Sequence, residues 1–187
     1  QLCLMTAQIA NGGFEIKPRI IFDKTNNNLK EYLRFKNENP DQPLPSDLLV
    51  ANFNLKPLFK NQENIKIVKD AMYSSSNEPG GTSYRSRLED KKFTFAGKTG
   101  SSQIKKFTEA QREAEVKQED LEYKNRDHAL FIAYAPVSDP KYAISVVVEH
   151  GGSGSKAAAP IAKKGIKKTL ERHNLRKSLN RSIGEAI

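Results

Sequence analysis

The chain has 187 residues, 37% of them hydrophobic and 28% charged, with a formal charge of +9, enough for one core and no more than two small domains. A single cysteine, Cys3, excludes a disulfide scaffold and a cysteine-based metal site, and no run approaches the roughly 20 apolar residues of a membrane span. The positive charge invites a nucleic-acid reading, but its distribution argues against one. Lys156, Lys163, Lys164, Lys167, Lys168, Arg172, Arg176, Lys177 and Arg181 face only Glu171 and Glu185, so residues 156–187 carry +7 and the body +2. That pattern is a solvated helix face and a basic tail at 174–187, with no nucleic-acid partner.

The apolar repeat Leu2, Met5, Ile9 predicts a helix over 2–10, stopped by Asn11, Gly12 and Gly13. Because the chain opens on Gln1 inside that repeat, without a methionine, it is expected to be a cut fragment whose anchor and upstream catalytic groups lie elsewhere. A strand is expected over Glu15–Phe22. The asparagines at 26–28 and the run Asn37–Asp47, with Pro40, Pro43 and Pro45, read as an exposed variable insertion over 24–60 without chemistry. Ile65, Val68 and Met72 predict a second helix, ended by Ser74, Ser75, Ser76 and the Pro79-Gly80-Gly81 turn.

Three strands are expected next, at Lys92–Ile104, Asp127–Tyr134 and Lys141–Glu149. The last two are apolar on both faces, as in the middle of a covered sheet, and the short turn through Pro136, Ser138, Asp139 and Pro140 joins them as an antiparallel hairpin. Between the first two lies a solvated loop, 105–126, with six basic and six acidic residues and a helical turn near 109–116. Ala158, Ile161, Ala162, Gly165, Ile166, Thr169 and Leu170 form one stripe of a final helix packed on the sheet, with Pro160 tolerated in its first turn. The fold class is α+β, an antiparallel sheet covered by helices.

The chemistry concentrates in Phe95-Ala96-Gly97-Lys98-Thr99-Gly100-Ser101-Ser102-Gln103. A cation, hydroxyls and a backbone amide beside glycine suit a carboxylate and a developing oxyanion. Strict alternation puts Lys98 and Thr99 on opposite faces of a strand, so both serve one ligand only at a twisted sheet edge. The pairs Ser102 with Lys105, Ser138 with Lys141 and Ser153 with Lys156 have the spacing of a nucleophile and its base. Their settings on a strand, beside Pro140 and in a glycine-rich turn read as decoys. Ser75-Ser76-Asn77 reads as a helix-ending turn. His128, His150 and His173 lack carboxylates at ligand spacing, so neither metal nor cofactor is expected.

The segment at 95–103 resembles the Lys-Thr-Gly box of serine penicillin-binding proteins and β-lactamases. Gln1–Gly13, Met72–Ser83 with Pro79-Gly80-Gly81-Thr82, Asp127-His128-Ala129-Leu130-Phe131 and Glu149–Pro160 are similar to segments of class B transpeptidases of the penicillin-binding protein 2 subgroup, which serves side-wall elongation. The resemblance covers most of the chain outside 24–60, the charged loop and the tail after Arg172. It implies that residues 1–173 are the C-terminal part of a transpeptidase domain, a partial penicillin-binding or serine β-lactamase-like fold.

By the same resemblance, Lys98 sets the positive potential and contacts a serine outside this chain. Thr99 hydrogen-bonds the substrate carboxylate, Gly100 admits the ligand to the backbone, and the Ser101 amide is half of an oxyanion hole. No nucleophile is assigned here, so the fragment alone is expected to be inactive. The implied activity is peptidoglycan D,D-transpeptidation on stem peptides, with β-lactam antibiotics as ligands. It implies an inner-membrane glycan polymerase as partner and a place on the periplasmic face of the inner membrane. The alternatives are a β-lactamase-like hydrolase fragment, disfavoured by the Glu149–Pro160 segment, and a non-catalytic basic module binding an anionic polymer.

Overall fold

Helix α1 (Leu2–Ala10) ends where Gly12 and Gly13 take φ of +94° and +89°, a conformation that L side chains avoid. The protein is seen here as a computed structural model, which describes residues 1–16, 18, 38–39, 42, 57–61, 63–104 and 117–184. The expected strand at 15–22 is corrected where it is described: only Phe14 makes a bridge, to Pro57, and Glu15 and Ile16 belong to no strand. The rest of that strand, most of the 24–60 insertion and the helical turn near 109–116 lie outside the described residues.

Helix α2 (Glu63–Asn77) buries Ile65, Met72 and Ser76. It runs through the serines and ends at Asn77, directly after them and before the Pro79-Gly80-Gly81 turn, as expected. Ser76 Oγ accepts the Gly97 amide, and the Ser75 carbonyl accepts from the Ser83 amide and hydroxyl, each at 3.0 Å.

Strands β1 (Ala96–Ser102), β2 (His128–Ala135) and β3 (Tyr142–Val148) form an antiparallel sheet in the order β1-β2-β3, with the expected β2–β3 hairpin. β1 begins later than Lys92, since Lys91–Phe93 is a 3-10 turn whose Lys92 amide donates to Asp90 Oδ1 at 2.9 Å. Among the described residues only β2 is paired on both sides. Among the same residues β3 pairs only with β2, and its Val147 is 54% exposed, where its composition suggested a covered central strand.

One face of the sheet, with Phe95, Ala129, Phe131 and Ala133, packs on Ala159, Ala162, Ile166 and Leu170 of helix α3 (Ala159–Gly184). The other, with Ala96 and Tyr134, packs on Ala10 of α1 and Met72 of α2. The result is three layers, helix, sheet, helix. The expected stripe of the final helix holds at Ala158, Ala162, Ile166 and Leu170, which are buried, and is narrower than expected. A π-helical turn at Gly154–Ala158 precedes α3; Ala159 is buried beside the stripe, while Ile161 is 51% exposed. Thr169 is exposed as well. The helix also continues through the expected tail to Gly184.

The described half of the charged loop is anchored rather than freely solvated. Gln118 exchanges two hydrogen bonds with Asp127, its Oε1 accepting from the Asp127 amide at 2.8 Å and its Nε2 donating to Oδ2 at 3.0 Å. Arg126 donates to the Leu121 and Glu119 carbonyls, and Tyr123 to that of Glu149.

Candidate active site

The edge of β1 away from β2 is held at its start by the end of α2. Asn77 Nδ2 donates to the Phe95 carbonyl at 2.9 Å, and Ser76 Oγ accepts the Gly97 amide at 3.0 Å and donates to the Gly97 carbonyl at 3.2 Å. Gly97 thus turns both backbone groups outward. Alternation along an antiparallel strand then turns those of Thr99 and Ser101 to the same side. Beyond Gly97 that edge has no strand partner among the described residues, so the Ser101 amide points away from β2 with no strand bond among them.

Lys98 and Thr99 do lie on opposite faces. Lys98 pairs with Ile132, on the α1–α2 side, and Thr99 with Phe131, on the α3 side. Because β1 is an edge, the lysine stem passes around it, and Nζ donates to the Thr99 carbonyl at 3.0 Å and to Thr99 Oγ1 at 3.3 Å. An ammonium, a hydroxyl and an amide without a strand partner among the described residues therefore share one edge, within four residues of chain. Such a set can hold a carboxylate by charge-assisted bonds and offer an N–H to an oxyanion.

Thr99 Oγ1 continues into a line of hydroxyls, donating to Thr82 Oγ1 at 3.1 Å, which lies 3.1 Å from Ser75 Oγ. These groups border a shallow depression of about 290 Å³ between Lys98 and the α2 end, lined also by Ser74, Glu78 and Gly80. The sequence reading quoted Thr82, Ser76 and Asn77 without giving them a part in the site. The signal available was the density of hydroxyls (Ser74, Ser75, Ser76, Thr82, Ser83) shortly before the box.

The serine–lysine pairs of suggestive spacing are otherwise engaged. Lys156 forms an ion pair with Glu119, whose carboxyl is held below its usual range by that hydrogen bond and then by the ammonium charge, while Ser153 Oγ bonds Ser155 Oγ at 3.0 Å. Lys141 pairs with Asp139. Lys105 is outside the described residues.

The histidines support structure. His128 Nδ1 accepts the His150 amide at 2.9 Å, with the two rings 4.9 Å apart. His173 Nδ1 meets the Tyr142 hydroxyl at 2.8 Å, and burial, followed by the charge of Lys141, lowers its pKa.

Comparison with known proteins gives a consistent result. The family model described as the penicillin binding protein transpeptidase domain matches residues 1–167. The peptidoglycan D,D-transpeptidase MrdA of Salmonella typhimurium (strain SL1344) is 36% identical over 98 residues, which are 52% of this chain and 15% of that protein. Among solved structures, Pseudomonas aeruginosa PBP2 in complex with WCK 5153 is 26% identical, with 86% of this chain and 27% of that one aligned at a TM-score of 0.52. The D,D-transpeptidase domain of a peptidoglycan glycosyltransferase from Eggerthella lenta, 19% identical, shares the fold at a TM-score of 0.57 over 92% of this chain and 32% of its own. The chain thus spans only about 15% of the length of the first curated relatives it matches.

Proposed function

The chain belongs to the penicillin-binding protein transpeptidase family and is similar to its PBP2/MrdA-type class B members, and from that premise we propose that it supplies the substrate-binding strand of a peptidoglycan D,D-transpeptidase. The observation that carries this reading is the convergence of the Lys98 ammonium, the Thr99 hydroxyl and the Ser101 amide on one open strand edge. In the reaction, a serine outside residues 1–187 attacks the D-Ala-D-Ala bond of a stem peptide. Lys98 and Thr99 hold the terminal carboxylate, and the Ser101 amide stabilises the oxyanion as the carbonyl becomes tetrahedral. The terminal D-alanine leaves, and the amine of a neighbouring stem peptide takes the acyl group from the serine. A β-lactam carries a carboxylate beside a strained amide and acylates the same serine, with no small leaving group to depart.

Localisation and partnership extend the reading. Cross-linking of glycan strands belongs on the periplasmic face of the inner membrane beside a glycan polymerase, and we assign both to the protein that contains this chain. No described helix is long and apolar enough to cross a membrane, so an anchor would come from elsewhere in that protein.

The test is to locate the acyl group. Full-length protein treated with a labelled penicillin, digested and analysed by mass spectrometry should carry the adduct on a serine outside residues 1–187. Residues 1–187 alone should neither retain label nor hydrolyse nitrocefin. A stoichiometric adduct on Ser153, or on any other serine of this chain, contradicts the assignment.

A further inference from the structure

A hydroxyl group has one proton to donate, and Thr99 directs its proton at Thr82 Oγ1 over 3.1 Å. In that state Thr99 can accept from Lys98 Nζ, 3.3 Å away, but has nothing to donate to a carboxylate. We propose that Thr82 is a positioning residue that switches the Thr99 hydroxyl between an empty and a carboxylate-bound arrangement. In the empty arrangement, donation runs from Thr99 to Thr82. When a carboxylate arrives, Ser75 donates to Thr82, Thr82 donates to Thr99, and the Thr99 proton turns to the ligand. Each proton stays on its own oxygen; because the contact as it stands has Thr99 as donor, the reversal also requires the Thr82 side chain to turn so that its O–H points at Thr99. The proposal rests on the reading of the β1 edge as a carboxylate site and deepens it.

The position of Thr82 is built with little tolerance. Gly80 turns the chain at φ +88°, and a Cβ at Gly81 would lie 2.4 Å from the Ser75 carbonyl oxygen. On the other side, the Ser83 amide and hydroxyl both donate to that carbonyl at 3.0 Å. Thr82 is thereby fixed against the end of α2, although its own side chain is exposed and contributes little packing. Ser75 can be either donor or acceptor toward Thr82, which supplies the first half of the reversal; the second half is the turn of the exposed Thr82 side chain.

The experiment uses the full-length protein and its Thr82→Val, Thr82→Ser, Thr99→Val and Thr82→Val/Thr99→Val variants, with rates of acylation by a penicillin and by the same penicillin esterified at its carboxylate. Thr82→Val should slow acylation by the free acid about tenfold and that by the ester less than about twofold, while Thr82→Ser, which keeps the hydroxyl, stays within about threefold of wild type. The double variant should be no slower than Thr99→Val alone, because Thr82 acts only through Thr99. Equal losses on acid and ester, or additive losses in the double variant, overturn the proposal. Failure of the underlying carboxylate-site reading has a separate signature, wild-type acylation of the free acid by Thr99→Val, which would remove this proposal with it. A Thr82→Val variant with lowered melting temperature does not blur the result, since a folding defect slows both ligands alike and is counted against the proposal.

Discussion

Glycine is required at position 97 for a reason that lies inside the fold. A Cβ there would come 2.4 Å from Phe131 Cζ and 2.8 Å from the Ile132 carbonyl oxygen, and the Phe131 ring is itself fixed edge-on to Phe95 at 6.0 Å. At Gly100 the same atom would meet only Leu130 Cβ, at 3.5 Å, an ordinary contact. Gly97→Ala should therefore cost about 1–3 kcal/mol through overpacking, whereas Gly100→Ala should leave the melting temperature almost unchanged. Thermal denaturation of both variants checks the contrast, and equal stability losses would contradict it. The identities of Lys98, Thr99 and Ser101 were legible in the sequence. Their convergence was not, because alternation separates Lys98 from Thr99, and the reach of a lysine stem around an edge depends on that edge being open.

At the level of elements, the sequence carried the helices and the hairpin through apolar spacing, and failed where tertiary contacts decide. The serines at 74–76 marked the end of the second helix, which stops at Asn77; what the sequence could not show is that the β1 edge and the Ser83 turn hold Ser76 and the Ser75 carbonyl there. The stripe of the last helix was read correctly at Ala158, Ala162, Ile166 and Leu170 but too widely at Ile161 and Thr169, since only the sheet's own width decides how many flanking positions it covers. The π-helical turn at Gly154–Ala158 sits close on the sheet, since a Cβ at Gly154 would be 2.5 Å from the Leu130 carbonyl oxygen and 2.7 Å from that of Gly100.

Burial of β2 between the helical layers also has a titratable consequence. Tyr134, 1% exposed, has its phenol pushed up to about 12, first by burial and then by the charge of Asp70. Between the ordinary value of 10.0 and about 12, the unfolded phenol loses its proton and the folded one keeps it. The folded state then binds more protons, so this contribution to stability is whole below pH 10 and is lost as pH rises through that window. Chemical denaturation from pH 9 upward should show a steeper fall for the wild type than for Tyr134→Phe, and parallel curves would contradict the assignment.

For the molecule as a whole, the three layers place the two concentrations of charge chemistry apart. The basic residues of α3 lie along a helix on one side of the sheet, while the candidate site lies at the edge of β1 that has no strand partner among the described residues. The central claim is that Lys98 at this edge anchors a carboxylate during acyl transfer, and one set of three proteins tests it. Acylation rates with a penicillin and with a D-Ala-D-Ala peptide, and melting temperatures, are to be measured on full-length wild type, Lys98→Ala and Lys98→Arg. Lys98→Ala should acylate about 100-fold more slowly or worse at an unchanged melting temperature, because an exposed lysine contributes little to folding and a charge-assisted contact is lost. Lys98→Arg should keep part of the activity, its charge surviving on a bulkier planar fork. Near-normal acylation by Lys98→Ala, or a loss that only follows a lowered melting temperature, would contradict the account.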